Sequence, residues 1–142
     1  YHGGVHPEAA ETRIVTVVGP EDLDFRDFPG RSTADPFKSA GQGASTVRQV
    51  VIEHVPTRSP HLHPQSEEIV YVVAGSGRVW LDGVVHPVGP GSWYRIPAGT
   101  PHATMADPNE RMSLVCFFPH DDFASNIEEL DMHLEADEEQ KQ

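Results

Sequence analysis

Three histidines and one glutamate carry the strongest chemical signal in this 142-residue sequence. His61-Leu62-His63 sets two imidazoles two positions apart. In an extended chain, residues i and i+2 share a face, so both rings can point the same way. Glu68 opens the next β-branched run, Glu68-Ile69-Val70-Tyr71-Val72-Val73. His102 follows the corner Pro97-Ala98-Gly99-Thr100-Pro101. A rolled sheet would bring these segments back to face one another. Three imidazoles and a carboxylate make an N/O ligand set without thiolate. Such a set suits one divalent transition metal: iron, manganese, nickel, cobalt, copper or zinc. A structural zinc site favours cysteine, and the single Cys116 cannot supply one. A metal here would therefore keep positions open for substrate.

The elements that must position these residues are short strands. Thr46 to Val55 is β-branched and predicts a strand, as does Glu68 to Val73, stopped by Ala74-Gly75-Ser76-Gly77. Arg78 to Leu81 and Val84-Val85 flank Asp82-Gly83, a tight-turn signal. Ser92 to Ile96, His102 to Met105 and Met112 to Phe118 follow, separated by Gly89-Pro90-Gly91, Pro97-Ala98-Gly99 and Asp107-Pro108-Asn109. Ile14 to Val18 predicts an N-terminal strand, and Glu21 to Ala44 reads as loop with short strand pieces. Near the end, Ser125 and Glu128 have capping-box spacing, and Ile127, Leu130 and Leu134 fall on one helical face. The expectation is an all-β barrel or sandwich with a short C-terminal helix. Residues 1–45 form an N-terminal arm with edge strands, 46–118 the core, and 119–142 the helix and an acidic tail.

With these motifs in place, the sequence resembles the cupin superfamily of small jelly-roll β-barrels. The first cupin motif reads His61-x-His63-x4-Glu68-x6-Gly75, and the second Gly91-x5-Pro97-x-Gly99-x2-His102. The resemblance covers about residues 46 to 118. Two family positions differ: Val55 stands where a glycine is usual, and Ala106 where an asparagine closes the second motif. Neither is a ligand position. Glu67 is an alternative to Glu68, but the spacing to Gly75 favours Glu68, and alternation lets only one of the two coordinate. The resemblance implies a 3-His/1-Glu metal site inside a cupin-type jelly-roll β-barrel, with two adjacent positions left for water, substrate or dioxygen. In similar cupins such sites serve dioxygenation, oxidation, decarboxylation, lyase, isomerase and cyclase reactions. The shared principle is polarisation of a small chelating substrate by the cation.

Within that frame, dioxygenase-type oxidation is the first expectation. A redox-neutral cyclase, isomerase, decarboxylase or lyase is the alternative, and a non-catalytic ligand-binding cupin the rival class. Arg48, Tyr94 and Arg95 are candidates to hold a substrate carboxylate or act as acid or base. Tyr94 and Arg95 point to opposite faces, so at most one of them lines the cavity. Gln49, Trp80 and Phe118 are core or pocket residues, and Cys116 reads as a buried, inert thiol. His54, His86, His120 and His133 are expected at the surface or in turns. Similar proteins pair subunits through N-terminal strands, so a homodimer is expected.

Composition narrows the partners. Ten Lys and Arg stand against 22 Asp and Glu, for a net charge of −12. That balance argues against nucleic acid and against an anionic membrane surface. Seven of the acids lie between Ser125 and Gln142, so much of the charge belongs to the tail. No apolar run approaches the roughly 20 residues of a membrane helix. No leader pattern is read at the N-terminus, and a lone cysteine suits a reducing, cytoplasmic setting. Twelve Gly and thirteen Pro fit a chain with many corners.

Overall fold

A computed structural model describes residues 16–37 and 43–135. Strands dominate it: β1 (Arg26–Phe28), β2 (Arg31–Ala34), β3 (Thr46–Glu53), β4 (Thr57–Arg58), β5 (His61–Leu62), β6 (Glu68–Ala74), β7 (Gly77–Leu81), β8 (Val84–Val88), β9 (Trp93–Ile96), β10 (His102–Ala106), β11 (Arg111–Phe118), β12 (Glu128–Glu129) and β13 (Leu134–Glu135). All pairings are antiparallel. One sheet runs β1-β2-β3-β11-β6-β9, a second β12-β5-β10-β7-β8, and β13 pairs with β4. The two large sheets form the walls of a jelly-roll barrel.

Alternation decides what faces inward. On β11, Met112, Leu114, Cys116 and Phe118 are buried while Arg111, Val115 and Phe117 are exposed. Register then aligns the inward rows: Cys116 sits opposite Arg48 on β3 and Val70 on β6, and Glu68 sits opposite Ile96 on β9. Ile52, Val70, Val72, Ile96, Met112, Leu114 and Phe118 make one apolar cluster. Trp80, Ala103, Met105 and Leu134 make a second, under the other sheet. Burial of these side chains drives the closure, at about 1.5–3 kcal/mol for each large one.

The turns follow from residue type. Asp82 and Gly83 both take positive φ, 46° and 95°, as a two-residue hairpin turn between β7 and β8 requires. Gly75 takes φ 79°, and a Cβ there would overlap the Arg111 carbonyl, so glycine is required twice over.

Two expectations about the ends are corrected. Among the described residues no helix forms near the C-terminus. Residues 128–129 extend β5 and residues 134–135 extend β4 instead. The helical spacing of Ile127, Leu130 and Leu134 is real, but the segment gains more by supplying strand partners to two short strands of the barrel and burying Leu134 against Trp80. The strand expected at Ile14 to Val18 is not seen over its described part: residues 16–18 are irregular, and Val17 is exposed. Ile14, Val15 and the acids Asp137, Glu138 and Glu139 lie outside the described residues. Among the described residues, the one helical turn is Pro20–Asp22, and no helix is long and apolar enough to cross a membrane.

Candidate metal centre

The four residues singled out by type and spacing converge. His61 lies on β5, His63 just past it, His102 at the start of β10, and Glu68 at the start of β6. His61 and His102 are register partners. His61 and His102 thus come from one sheet, His63 from the chain just past its strand β5, and the glutamate from the other sheet. One ligand atom from each residue can be chosen so that all four lie within 4.8 Å of one another. The imidazole centroids are 5.0 Å (His61–His63), 4.4 Å (His61–His102) and 5.1 Å (His63–His102) apart. Ligand atoms about 2.1 Å from a shared ion lie no more than about 4.2 Å apart, so small side-chain shifts suffice to close the shell.

The protonation pattern fits metal binding. His63 Nδ1–H donates to the Asn126 carbonyl at 2.7 Å, and His102 Nδ1–H to the Thr100 carbonyl at 2.9 Å. A carbonyl can only accept, so each ring carries its hydrogen on Nδ1 and can offer a lone pair at Nε2. His63 Nε2 and His102 Nε2 approach Glu68 Oε1 at 3.2 and 3.1 Å. Yet these three buried atoms make no hydrogen bond. Buried polar atoms without a partner are rare and costly. Three of them facing one point are what a cation would satisfy.

Electrostatics point the same way. Burial pushes the His61 imidazole down to about 2, helped by the neighbouring His102 and opposed by Glu68. It is neutral at physiological pH. Burial by itself would raise the Glu68 carboxyl, but hydrogen bonds and charge from the His102 and His63 rings, available when Nε2 also carries a proton, outweigh it and hold the group well below the usual carboxylate range. The site therefore presents a carboxylate and at least one neutral imidazole, the forms a metal needs.

A cavity of about 160 Å³ opens onto this cluster. Val50, Ile52, Val70, Ile96, Leu114 and Phe118 supply apolar walls. Arg48 lines it too, with its guanidinium 4.0 Å from the centre of the Phe123 ring. Cys116 is another lining residue. Its thiol is pushed up by burial and by Glu68, which keeps it protonated.

Tyr94 faces the interior behind this layer. Its hydroxyl meets Thr104 Oγ1 at 2.6 Å, and Thr104 lines the cavity. Burial raises the Tyr94 phenol well above its ordinary value. Arg95 needs correction as a pocket candidate. It lies on the outer face of β9 with its side chain 69% exposed, paired with Glu67 at 3.1 Å. Alternation turns Glu67 and Arg95 outward together while Glu68 and Tyr94 turn inward. The histidines outside the cluster take other tasks: His54 Nδ1–H donates to the Ala106 carbonyl, and His120 Nε2–H to Gln65 Oε1.

Several site residues escaped the sequence reading. Asn126 is fully buried. Its carbonyl orients His63, its Oδ1 accepts from Gln65 N at 2.8 Å, and its Nδ2 donates to Ser66 Oγ at 2.8 Å. Phe123 and Ile127, from the same C-terminal segment, close over the cavity. The helical reading from Ser125 onward concealed Asn126 and Ile127. Arg31 and Arg58 also line the cavity. Arg58 is pushed down to about 10, first by burial and then by the charge of Arg31, and stays cationic. No local pattern marks either one, since Arg58 lies on the two-residue strand β4 and Arg31 in a segment read as loop.

Known proteins share this fold. A family model described as "Cupin domain" (Cupin_2) matches residues 48–118. Protein SchB of Streptomyces halstedii is 39% identical over 64 residues, 45% of this chain and 46% of SchB, so the match spans about half of that relative's length. The solved structure of KdgF from Halomonas sp. superposes with a TM-score of 0.65 at 22% identity, covering 78% of this chain and 99% of that one. The polyketide cyclase RemF from Streptomyces resistomycificus superposes with a TM-score of 0.64 at 21% identity, covering 74% of this chain and 79% of that one. At such identities the structures speak for the fold alone. The family model takes in β3 to β11, the strands that carry Glu68 and the histidine motifs, and on that match the chain belongs to the cupin family.

Proposed function

We propose that this protein is a metal-dependent enzyme acting on a small chelating organic molecule, with His61, His63, Glu68 and His102 as the ligands of one divalent transition metal. The observation that carries the reading is the trio of buried, unpartnered atoms, His63 Nε2, His102 Nε2 and Glu68 Oε1, at the head of an apolar cavity. A cation bound there supplies Lewis acidity toward oxygen atoms of the substrate. The chain does the rest. The carbonyls of Asn126 and Thr100 fix two imidazoles in the ligating tautomer. The apolar walls exclude water and strengthen every charge interaction inside. Thr104, backed by the protonated Tyr94, offers a hydroxyl to the cavity, and Arg48 a fixed positive charge.

A redox-neutral reaction is our first reading, because one protein of this fold is named a polyketide cyclase and the lining needs only a polarising centre and a hydroxyl. Dioxygenase-type oxidation is the second reading, favoured by the apolar lining, which would admit dioxygen and keep out water. Two copies of the chain are proposed to pair, an arrangement supported by the exposed Trp93 and Val73 on the outer face of the larger sheet.

Protein purified without chelators should contain about one transition-metal ion per chain by elemental analysis. Substrate trials with diketones, catechols and hydroxy acids, followed by both product formation and dioxygen uptake, then separate the two readings. Turnover without dioxygen uptake supports redox-neutral chemistry. A chain that binds no transition metal would overturn the proposal.

A further inference from the structure

The cavity differs in charge from the chain around it. The protein carries a net −12. Yet among the described residues the formally charged side chains lining the cavity are Arg31, Arg48 and Arg58 against the carboxylate of Glu68. Glu68 faces the His63 and His102 rings, 3.2 and 3.1 Å away, on the metal side of the cavity. None of the three guanidiniums forms an ion pair among the described residues. Arg31 lies over the Phe28 ring at 5.2 Å and Arg48 over Phe123 at 4.0 Å, which partly satisfies both. Among the described residues Arg58 lies over no ring, Glu129 acts on it only from beyond ion-pair distance, and its Nε is buried without a hydrogen bond. Arg78, by contrast, lies outside the cavity and faces Asp107 at 3.5 Å. Leaving a buried cation unpaired is costly. Three guanidiniums at one cavity, Arg31 and Arg48 half-buried, focus a positive field that draws anions in.

We propose that Arg58, with Arg31 and Arg48 lining the same cavity, is the receptor for a carboxylate on the organic molecule that occupies it. The proposal rests on the reading of the cavity as a substrate site and narrows the substrate to an organic acid. The apolar walls contact its carbon skeleton. The planar guanidinium fork takes the carboxylate oxygens, and the metal-ligand cluster is left free to meet a second polar group.

The test uses 2-naphthoate and its neutral counterpart 2-naphthamide, titrated calorimetrically into the protein as purified and after dialysis against a chelator. The acid should bind at least tenfold more tightly than the amide in both preparations. Arg58→Gln, checked for folding by circular dichroism, should weaken the acid at least tenfold and leave the amide within twofold. Arg58→Lys should recover part of the loss. Equal affinity for acid and amide in the unaltered protein overturns the proposal whether or not the variant folds, and so does the absence of acid binding at millimolar concentration. A folded Arg58→Gln that keeps the acid overturns it as well. Selectivity that vanishes with the metal assigns the carboxylate to the ion and removes Arg58 from the role. Tighter binding of 2-naphthyl phosphate replaces the carboxylate with a phosphate and overturns the assignment. Acid selectivity in protein that never contained metal leaves the anion receptor standing while the metal reading falls.

Discussion

His63 donates its Nδ1 hydrogen to the backbone carbonyl of Asn126, 2.7 Å away and 63 positions along the chain. A residue of the first histidine pair is thus oriented by the segment that closes the barrel mouth. Asn126→Ala keeps that carbonyl but deletes the side-chain bonds to Gln65 and Ser66 that hold it in place. Stability should fall by about 1–3 kcal/mol, read by urea unfolding. Metal affinity should fall about 10- to 100-fold, read by chelator competition.

His61→Ala and His102→Ala should each lower the metal content well below one ion per chain. His61 is the more exposed of the two, so its variant should fold the better and give the cleaner result. Unchanged stoichiometry in both, by elemental analysis, would mean the ligand set is wrong.

The metal-free protein should lose stability in acid. His61 is held near 2 when folded against an ordinary 6.5, so below 6.5 the unfolded chain binds the extra proton. The contribution is complete above pH 6.5 and shrinks as pH falls, at up to about 1.4 kcal/mol per pH unit. Glu68, also held low, adds a second proton below its ordinary 4.5. Unfolding midpoints measured from pH 8 to 4 should show the slope steepening near 4.5. His61→Ala should flatten the upper part, between 6.5 and 4.5, relative to the unaltered protein.

Gly75→Ala should cost at least about 2 kcal/mol, combining a positive φ with overlap on the Arg111 carbonyl. Gly83→Ala has a similar φ but open space around the added carbon, and should cost about half as much. Equal losses in the two variants would show that backbone conformation alone governs Gly75.

Arg95→Ala should change neither metal content nor turnover, and should shift stability by no more than about 0.5 kcal/mol, because its bridge to Glu67 is solvent-exposed. A loss of activity would place Arg95 at the site after all.

The core was legible because the signals there are local and redundant. On β6, alternation turns Glu68, Val70 and Val72 inward and Glu67 outward, and one parity settles every one of them. Asp82-Gly83 announces its own turn. The C-terminal segment was not legible. Ile127, Leu130 and Leu134 do repeat at helical spacing, but two-residue strands such as β12 and β13 exist only because β5 and β4 are there to pair with them. Arg58 was hidden for a related reason. Its place in the cavity comes from the path of a two-residue strand, not from any periodicity of the sequence.

The ligand cluster draws His61 and His102 from one sheet, His63 from just past strand β5 of that sheet, and its glutamate from the other sheet. An ion held there is a rivet through both walls. Opening the barrel would then require breaking coordination bonds as well as exposing the core. The lifetime of the folded chain would track the metal supply around it, with about 2.7 kcal/mol added at a hundredfold excess of free ion over its dissociation constant. Starved of metal, the same chain would be the one that proteases find first.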